Sequence, residues 1–361
     1  MIPHFYYHPR MLAYDFGPRH PLRPERLRRA IELLELTSGL VPIDPGLANR
    51  TDVARVHAED YIHTVEALSA GDHLPEGFRF NYGFHSADNP PFIGMFEAAL
   101  AYCGGAVRAA EAVRDGAPLA FSLGGGLHHA QRARASGFCI FDDPAIAIDV
   151  LRERFDRVAY VDIDVHHGDG VQWIYYEDPQ VLTCSIHETG RTLFPATGFV
   201  DETGPCWTSI NVPLEPETTG DVWCMAFEQG ILPALERFRP GAIVLQMGTD
   251  PHFADPLGHL SVSAQEWRQA VRQIRDLGLP TVAMGGGGYN VETVPRMWAS
   301  AVMTLVEQEI PERLPEELAK AWGSATFDDP ETSISRDGGR EEAERLLSQL
   351  RNLIIPNIPA G

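Results

Sequence analysis

The chain has 361 residues, 44% of them hydrophobic and 22% charged, enough apolar material for a sizeable core and too much for a disordered polymer. Its 29 basic and 50 acidic side chains leave a formal charge of −21, a surface that repels phosphate backbones and excludes nucleic acid as a partner. No apolar run is long enough to span a bilayer, and the opening MIPHFYYHPRM lacks the basic-then-apolar layout of a signal peptide, so no membrane role is expected.

No repeat, low-complexity tract or long linker divides the chain, which reads as a single domain over residues 1–361. A first helix is expected at PERLRRAIELLEL (24–36), with Pro24 in its first turn and Leu27, Ile31 and Leu34 at helical spacing. Buried strands are expected at PLAFSL (118–123), RVAYVDIDV (157–165), AIVLQMG (242–248) and PTVAMG (280–285). Each runs at its carboxyl end into a polar or glycine-rich stretch: GGGLHHA, HHGDG, TDPHFADPLG and GGGYN. A closing helix is expected at 340–354, with Ala343, Leu346, Leu347, Leu350, Leu353 and Ile354 on one face and Pro356 as its stop. The alternation predicts an α/β fold with a mostly parallel central sheet flanked by helices, and a site built where the strand carboxyl ends converge. The five cysteines are odd in number and contain no C-x-x-C pair, so they read as reduced cytoplasmic thiols rather than metal ligands.

The run VDIDVHHGDG (161–170) carries the sharpest chemistry. Side chains two apart on a strand share a side, which groups Asp162, Asp164 and His166 against Ile163 and Val165. Unpaired charge is costly to bury, and a bound cation compensates for it. Alone, such a D-x-H pattern also reads as strand or helix capping. A second strand-tip aspartate, Asp250, and the pair His128-His129 favour a metal site. Asp164, His166 and Asp250 make a two-carboxylate, one-imidazole set that leaves a zinc ion an open position, and iron(II) or cobalt(II) accept the same donors. His128 and His129 are proton carriers near neutral pH, and Asp162 and Asp169 are the spare carboxylates that can orient them. Tyr289 follows four glycines in a turn with no phosphate-loop lysine, and its hydroxyl suits donation to a substrate oxygen.

These residues resemble the histone deacetylase family, including its bacterial acetoin-utilisation and acetylpolyamine amidohydrolase branches. The likeness runs in order through HPLRPERLRR, VHAEDYIHTV, DNPPFIGMFEAALAYCGGAV, GLHHAQRARASGFCIFDDPAIAI, YVDIDVHHGDGVQ, FPATG, the Asp250 strand and GGGGYN. The resemblance implies an open arginase-deacetylase fold and a prokaryotic, cytoplasmic metal-dependent amidohydrolase that removes acyl groups from lysine side chains. It assigns the general base to His129 with Asp169, the second histidine to His128 with Asp162, and carbonyl polarisation to Tyr289. It also places Gly137, Phe138 and Phe194 in an acyl-lysine tunnel, Asp88 at its rim, Arg26 near an internal acetate cavity, and a structural potassium at Asp162–His166 with Ser185.

A two-manganese ureohydrolase is the first rival, but Gly168 stands where its D-x-H-x-D run needs another carboxylate. Acetylated polyamines or other small N-acetyl substrates are the second. Leu257, where one such branch has an acidic gatekeeper, favours protein or peptide lysine instead. A non-catalytic acyl-lysine reader is the third, disfavoured by the complete set of chemical groups. Asp142, where the family usually has asparagine, and His252 beside Asp250 depart from the pattern, and His252 is expected to stabilise the rim or its loop.

Overall fold

The computed structural model describes residues 3–323, 325–331 and 335–361. Seven strands form one sheet: β1 (His4–Phe5), β2 (Leu119–Ser122), β3 (Val158–Asp162), β4 (Val181–Glu188), β5 (Ser209–Leu214), β6 (Ala242–Gln246) and β7 (Thr281–Met284). Every pairing is parallel, in the order β1-β2-β7-β6-β3-β4-β5. Parallel strands need crossover connections, and the helices that make them cover both faces, which is why the central strands are continuous apolar runs.

The order fixes where a site can form. From β3 the chain builds outward through β4 and β5, then returns to lay β6 on the other flank of β3. Loops leaving β3 and β6 therefore diverge from adjacent tips, opening a crevice at a topological switch point. Register sets those tips level, with Asp162 opposite Gln246 on one side and Ser185 on the other.

The four expected strands are present, but the strand at 157–165 ends at Asp162. Ile163 makes the last ladder contact, donating to the Gln246 carbonyl at 3.2 Å, and the chain then turns. The first helix spans Glu25–Ser38 and packs on Thr293–Leu305. At the other end, helix Arg340–Gln349 continues as a wider π-turn over Leu350–Ile354 and a 3-10 turn through Pro356. The extra residue in that turn shifts the helical phase, so Leu353 is 60% exposed while Ala343, Leu347, Leu350 and Ile354 stay buried. Among the described residues no helix is long and apolar enough to cross a membrane.

Candidate active site

Beyond β3 the chain is bent by its own carboxylates. Asp162 Oδ1 accepts the Asp164 N–H at 3.1 Å, and Asp164 Oδ1 accepts the His166 N–H at 3.0 Å. From the loop after β6, Asp250 Oδ1 accepts the Val165 N–H at 2.8 Å. These bonds turn His166 Nδ1 to 3.1 Å from Asp164 Oδ1 and 3.2 Å from Asp250 Oδ2. All three side chains are buried, and among the described residues they form the one group of three or more potential ligands, with donor atoms within 4.8 Å of one another. Donors held at 2.0–2.1 Å by a tetrahedral ion lie roughly 3.3 Å apart, so the spacing fits a single small divalent cation. The surroundings favour positive charge. Burial opposes protonation of His166, but its hydrogen bonds to Asp164 and Asp250 outweigh that and raise it to about 10.

Asp164 Oδ2 faces away from His166 and is held by Gln246 Nε2 at 2.8 Å and the Gly287 N–H at 2.7 Å. A side chain at Gly287 would overlap the Asp250 carboxylate, so only glycine lets this loop close over both acids.

The histidine pair sits on the loop after β2. Asp143 shapes that loop by accepting the Gly126 and Leu127 N–H groups at 2.9 Å each. His128 Nδ1 meets Asp162 Oδ2 at 2.7 Å, where the Tyr160 hydroxyl also donates at 2.7 Å. His129 Nδ1 meets Asp169 Oδ1 at 2.6 Å, and the two Nε2 atoms lie 3.1 Å apart. Their environments diverge. Burial and the neighbouring His128 lower His129 to about 4 against the pull of Asp169. For His128 burial is overcome by Asp162 and Asp164, which raise it to about 9. At neutral pH a neutral imidazole therefore faces an imidazolium.

Tyr289 completes the ring of groups, its ring centroid 6.4 Å from that of His166. Burial first, then Asp250 and Asp164, push its hydroxyl well above the usual phenol range, so it keeps its proton and can donate. Arg26 lies behind it, donating to the Gly288 carbonyl at 2.7 Å, with its guanidinium 5.7 Å from the Tyr289 ring. Arg26 also lines a cavity of about 20 Å³ with Met11, Tyr14, Leu22, Leu123 and Trp298.

Phe138 and Phe194 pack beside these groups. The Phe138 ring lies 5.6 Å from Tyr289, and Phe194, 43% exposed, lies 5.0 Å from His129. Gly137 and Phe138 both take left-handed backbone, with φ of 50° and 68°. Asp88 is exposed on a loop tied inward by His20 Nε2, which donates to the Asp88 carbonyl at 3.2 Å, and by Asn89 Oδ1, which accepts the Phe138 N–H at 3.3 Å. Leu257 is half-buried on the loop that follows Asp250. Ser185 lies opposite Asp162, its Oγ 2.8 Å from His187 Nδ1.

The two departures from the family pattern are structural. His252 is buried away from the rim: its Nε2 donates to Asp329 at 2.9 Å and its Nδ1 accepts the Ala254 N–H at 3.1 Å, a brace for the loop. Asp142 caps helix Asp143–Leu151 through Oδ1, while its buried Oδ2 has no hydrogen-bond partner among the described residues. Sequence reasoning passed over Asp143, Tyr160, Gln246 and Asp255. A polar Gln246 inside AIVLQMG was the one visible signal.

A family model for the histone deacetylase domain matches residues 20–305. The acetoin utilization protein AcuC of Bacillus subtilis is 39% identical over 332 residues, 88% of this chain and 86% of that protein. Histone deacetylase clr6 of Schizosaccharomyces pombe is 36% identical over 84% of this chain and 76% of its own length. A crystal structure of an HDAC homologue complexed with SAHA superimposes with a TM-score of 0.89 at 30% identity, covering 97% of this chain and all of that one.

Proposed function

Since the chain belongs to the histone deacetylase family, a family of amide-cleaving deacetylases, we propose that it removes acetyl or other acyl groups from lysine side chains of proteins or peptides, in one catalytic domain with one zinc ion. The observation that carries this reading is the convergence of Asp164, His166 and Asp250 beside two histidine–aspartate pairs and a protonated tyrosine. When bound there, zinc supplies a Lewis acid and lowers the pKa of water from 15.7 towards about 7; iron(II) or cobalt(II) would fit the same donors.

The remaining steps belong to the chain itself. His129, neutral at pH 7, takes the proton of the attacking water at Nε2, and Asp169 on Nδ1 fixes the tautomer that leaves Nε2 unprotonated. Tyr289 donates to the carbonyl oxygen as negative charge grows there. The charge of His128, supported by Asp162, stabilises the same anionic stage, and a histidine passes a proton to the departing amine. The products are a carboxylate and lysine.

Phe138 and Phe194 leave a slot for an unbranched stem, Gly137 admits His129 beside it, and Asp88 stands at its mouth to hold the substrate backbone. Leu257 supports peptide-borne lysine over a polyamine, since it is apolar where one acetylpolyamine branch of the family carries an acidic gatekeeper. We extend the proposal to a structural potassium held by the Asp162–His166 segment with Ser185, supported by their adjacency across β3 and β4. Bacterial relatives support a prokaryotic setting, within which we propose the cytoplasm.

A panel of acetyl-lysine, longer acyl-lysine and acetylpolyamine substrates, assayed after chelation and after defined zinc addition, tests the reading. Turnover confined to acyl-lysine and dependent on restored metal is expected. Metal-independent cleavage, or cleavage of acetylpolyamines alone, overturns it.

A further inference from the structure

The loop after Asp250 and the loop carrying Tyr289 are joined at one buried carboxylate. Asp255 Oδ2 accepts the Tyr289 N–H at 2.6 Å and the Asn290 N–H at 3.3 Å, and its Oδ1 accepts the Leu257 N–H at 3.0 Å. Asn290 answers from the other side, donating through Nδ2 to the Ala254 carbonyl at 3.0 Å. Asp255 is 7% exposed. Only four residues lie between it and Asp250, and that span is braced from behind by the bond of His252 to Asp329.

We propose that Asp255 is a positioning residue that sets the Tyr289 hydroxyl over the reacting carbonyl and couples it to the rim residue Leu257. The inference rests on the deacetylase reading above and deepens it.

Tyr289 follows a run of four glycines, of which Gly286 and Gly288 have φ of 144° and 115°, so the turn before it has no side chains of its own and is held through its backbone hydrogen bonds. A donor aimed at a developing oxyanion must be held to within about 0.5 Å to act fully. Arg26 holds the Gly288 carbonyl from below, and packing against Phe138 restrains the ring from one side. The backbone N–H of Tyr289 itself is fixed by Asp255, through a charge-assisted bond stronger than an amide–carbonyl contact. Because the other oxygen of the same carboxylate carries Leu257, displacement of the rim is transmitted to the tyrosine through one rigid group.

The test is a double-mutant cycle of Asp255→Ala and Tyr289→Phe on the zinc-loaded enzyme, with hydrogen exchange of the metal-free proteins as the second readout. Asp255→Ala is expected to lower kcat on the order of 10- to 100-fold while KM changes less than about 3-fold. In the Tyr289→Phe background the same substitution should change kcat less than about 3-fold, because the donor it positions is gone. Exchange at the amides of Leu257, Tyr289 and Asn290 should accelerate without a change at the strand cores. Full additivity of the two substitutions, or unchanged exchange at those amides, overturns the inference. An unimpaired Tyr289→Phe enzyme would instead overturn the role given to Tyr289 itself. Should Asp255→Ala fail to fold, Asp255→Asn, which keeps the volume but turns one acceptor into a donor, carries the same cycle and the same criteria.

Discussion

Gly137 lies so close to the ring of His129 that a β-carbon between them would overlap the imidazole and crowd Phe194. The left-handed φ of 50° at Gly137 adds a second obstacle to any side chain there. Gly137→Ala should therefore cost the fold about 1–2 kcal/mol through backbone strain. It should also lower kcat more than stability alone explains, since it displaces His129. Thermal unfolding and steady-state kinetics on one preparation decide the point. An alanine variant with unaltered kcat would show that His129 has room to spare.

Substituting His128 and Asp169 should shift the acid limb of kcat/KM in opposite directions at saturating zinc. The charge on His128 lowers His129, so His128→Ala lets His129 take up its proton at a higher pH, and activity is lost earlier on acidification. Asp169 raises His129, so Asp169→Asn moves the limb lower while slowing turnover through the wrong tautomer. His129→Ala should cost on the order of 10²- to 10⁴-fold at any pH. Limbs that move together would refute the assignment of the base.

Metal affinity should rise with pH. His166, raised to about 10, carries on Nδ1 a proton that a cation must displace. Between that pH and about 7, where Asp250 begins to protonate as well, each unit of acidification should weaken apparent zinc affinity about tenfold, with a proton released on binding. Calorimetry in buffers of different ionisation enthalpy measures that release directly. Proton-free binding at pH 7 would mean that the ring is neutral before metal arrives.

Asp142 should make stability fall as pH rises. Burial, opposed by the Ala145 N–H, lifts its carboxyl well above the usual range, and Asp143 and Asp169 reinforce the lift. The folded protein thus keeps a proton that the unfolded chain releases above about pH 4. That contribution is complete below pH 4 and declines towards the folded pKa, by about 1.4 kcal/mol per pH unit. Asp142→Asn removes the dependence, so its melting temperature should gain on the parent as pH rises above about 4. A constant difference across that range would count against a protonated Asp142.

The strands that carry the chemistry were legible because two-sided burial leaves an unbroken apolar run, and polar residues at its end then stand out. VAYVDIDV and AIVLQMGTD show this plainly. The missed strands lack that contrast. β4, VLTCSIHE, is fully buried yet mixes Thr, Ser, His and Glu with its apolar residues, and β5 is an edge strand that includes Pro213. β1 has two residues and no pattern to read. Asp143 and Asp255 were invisible for a different reason. Each acts on backbone N–H groups, which every residue supplies, so no partner side chain marks the contact in the sequence.

The clamp at Asp255 bears on how such a protein can diversify. With Asp250 fixed at one end and Leu257 and Tyr289 both hung from the other, inserting or deleting a residue inside this short span would disturb the proposed ion site, oxyanion donor and entrance in a single event. Lineages adapting to new acyl substrates should then exchange side chains here while conserving the span's length.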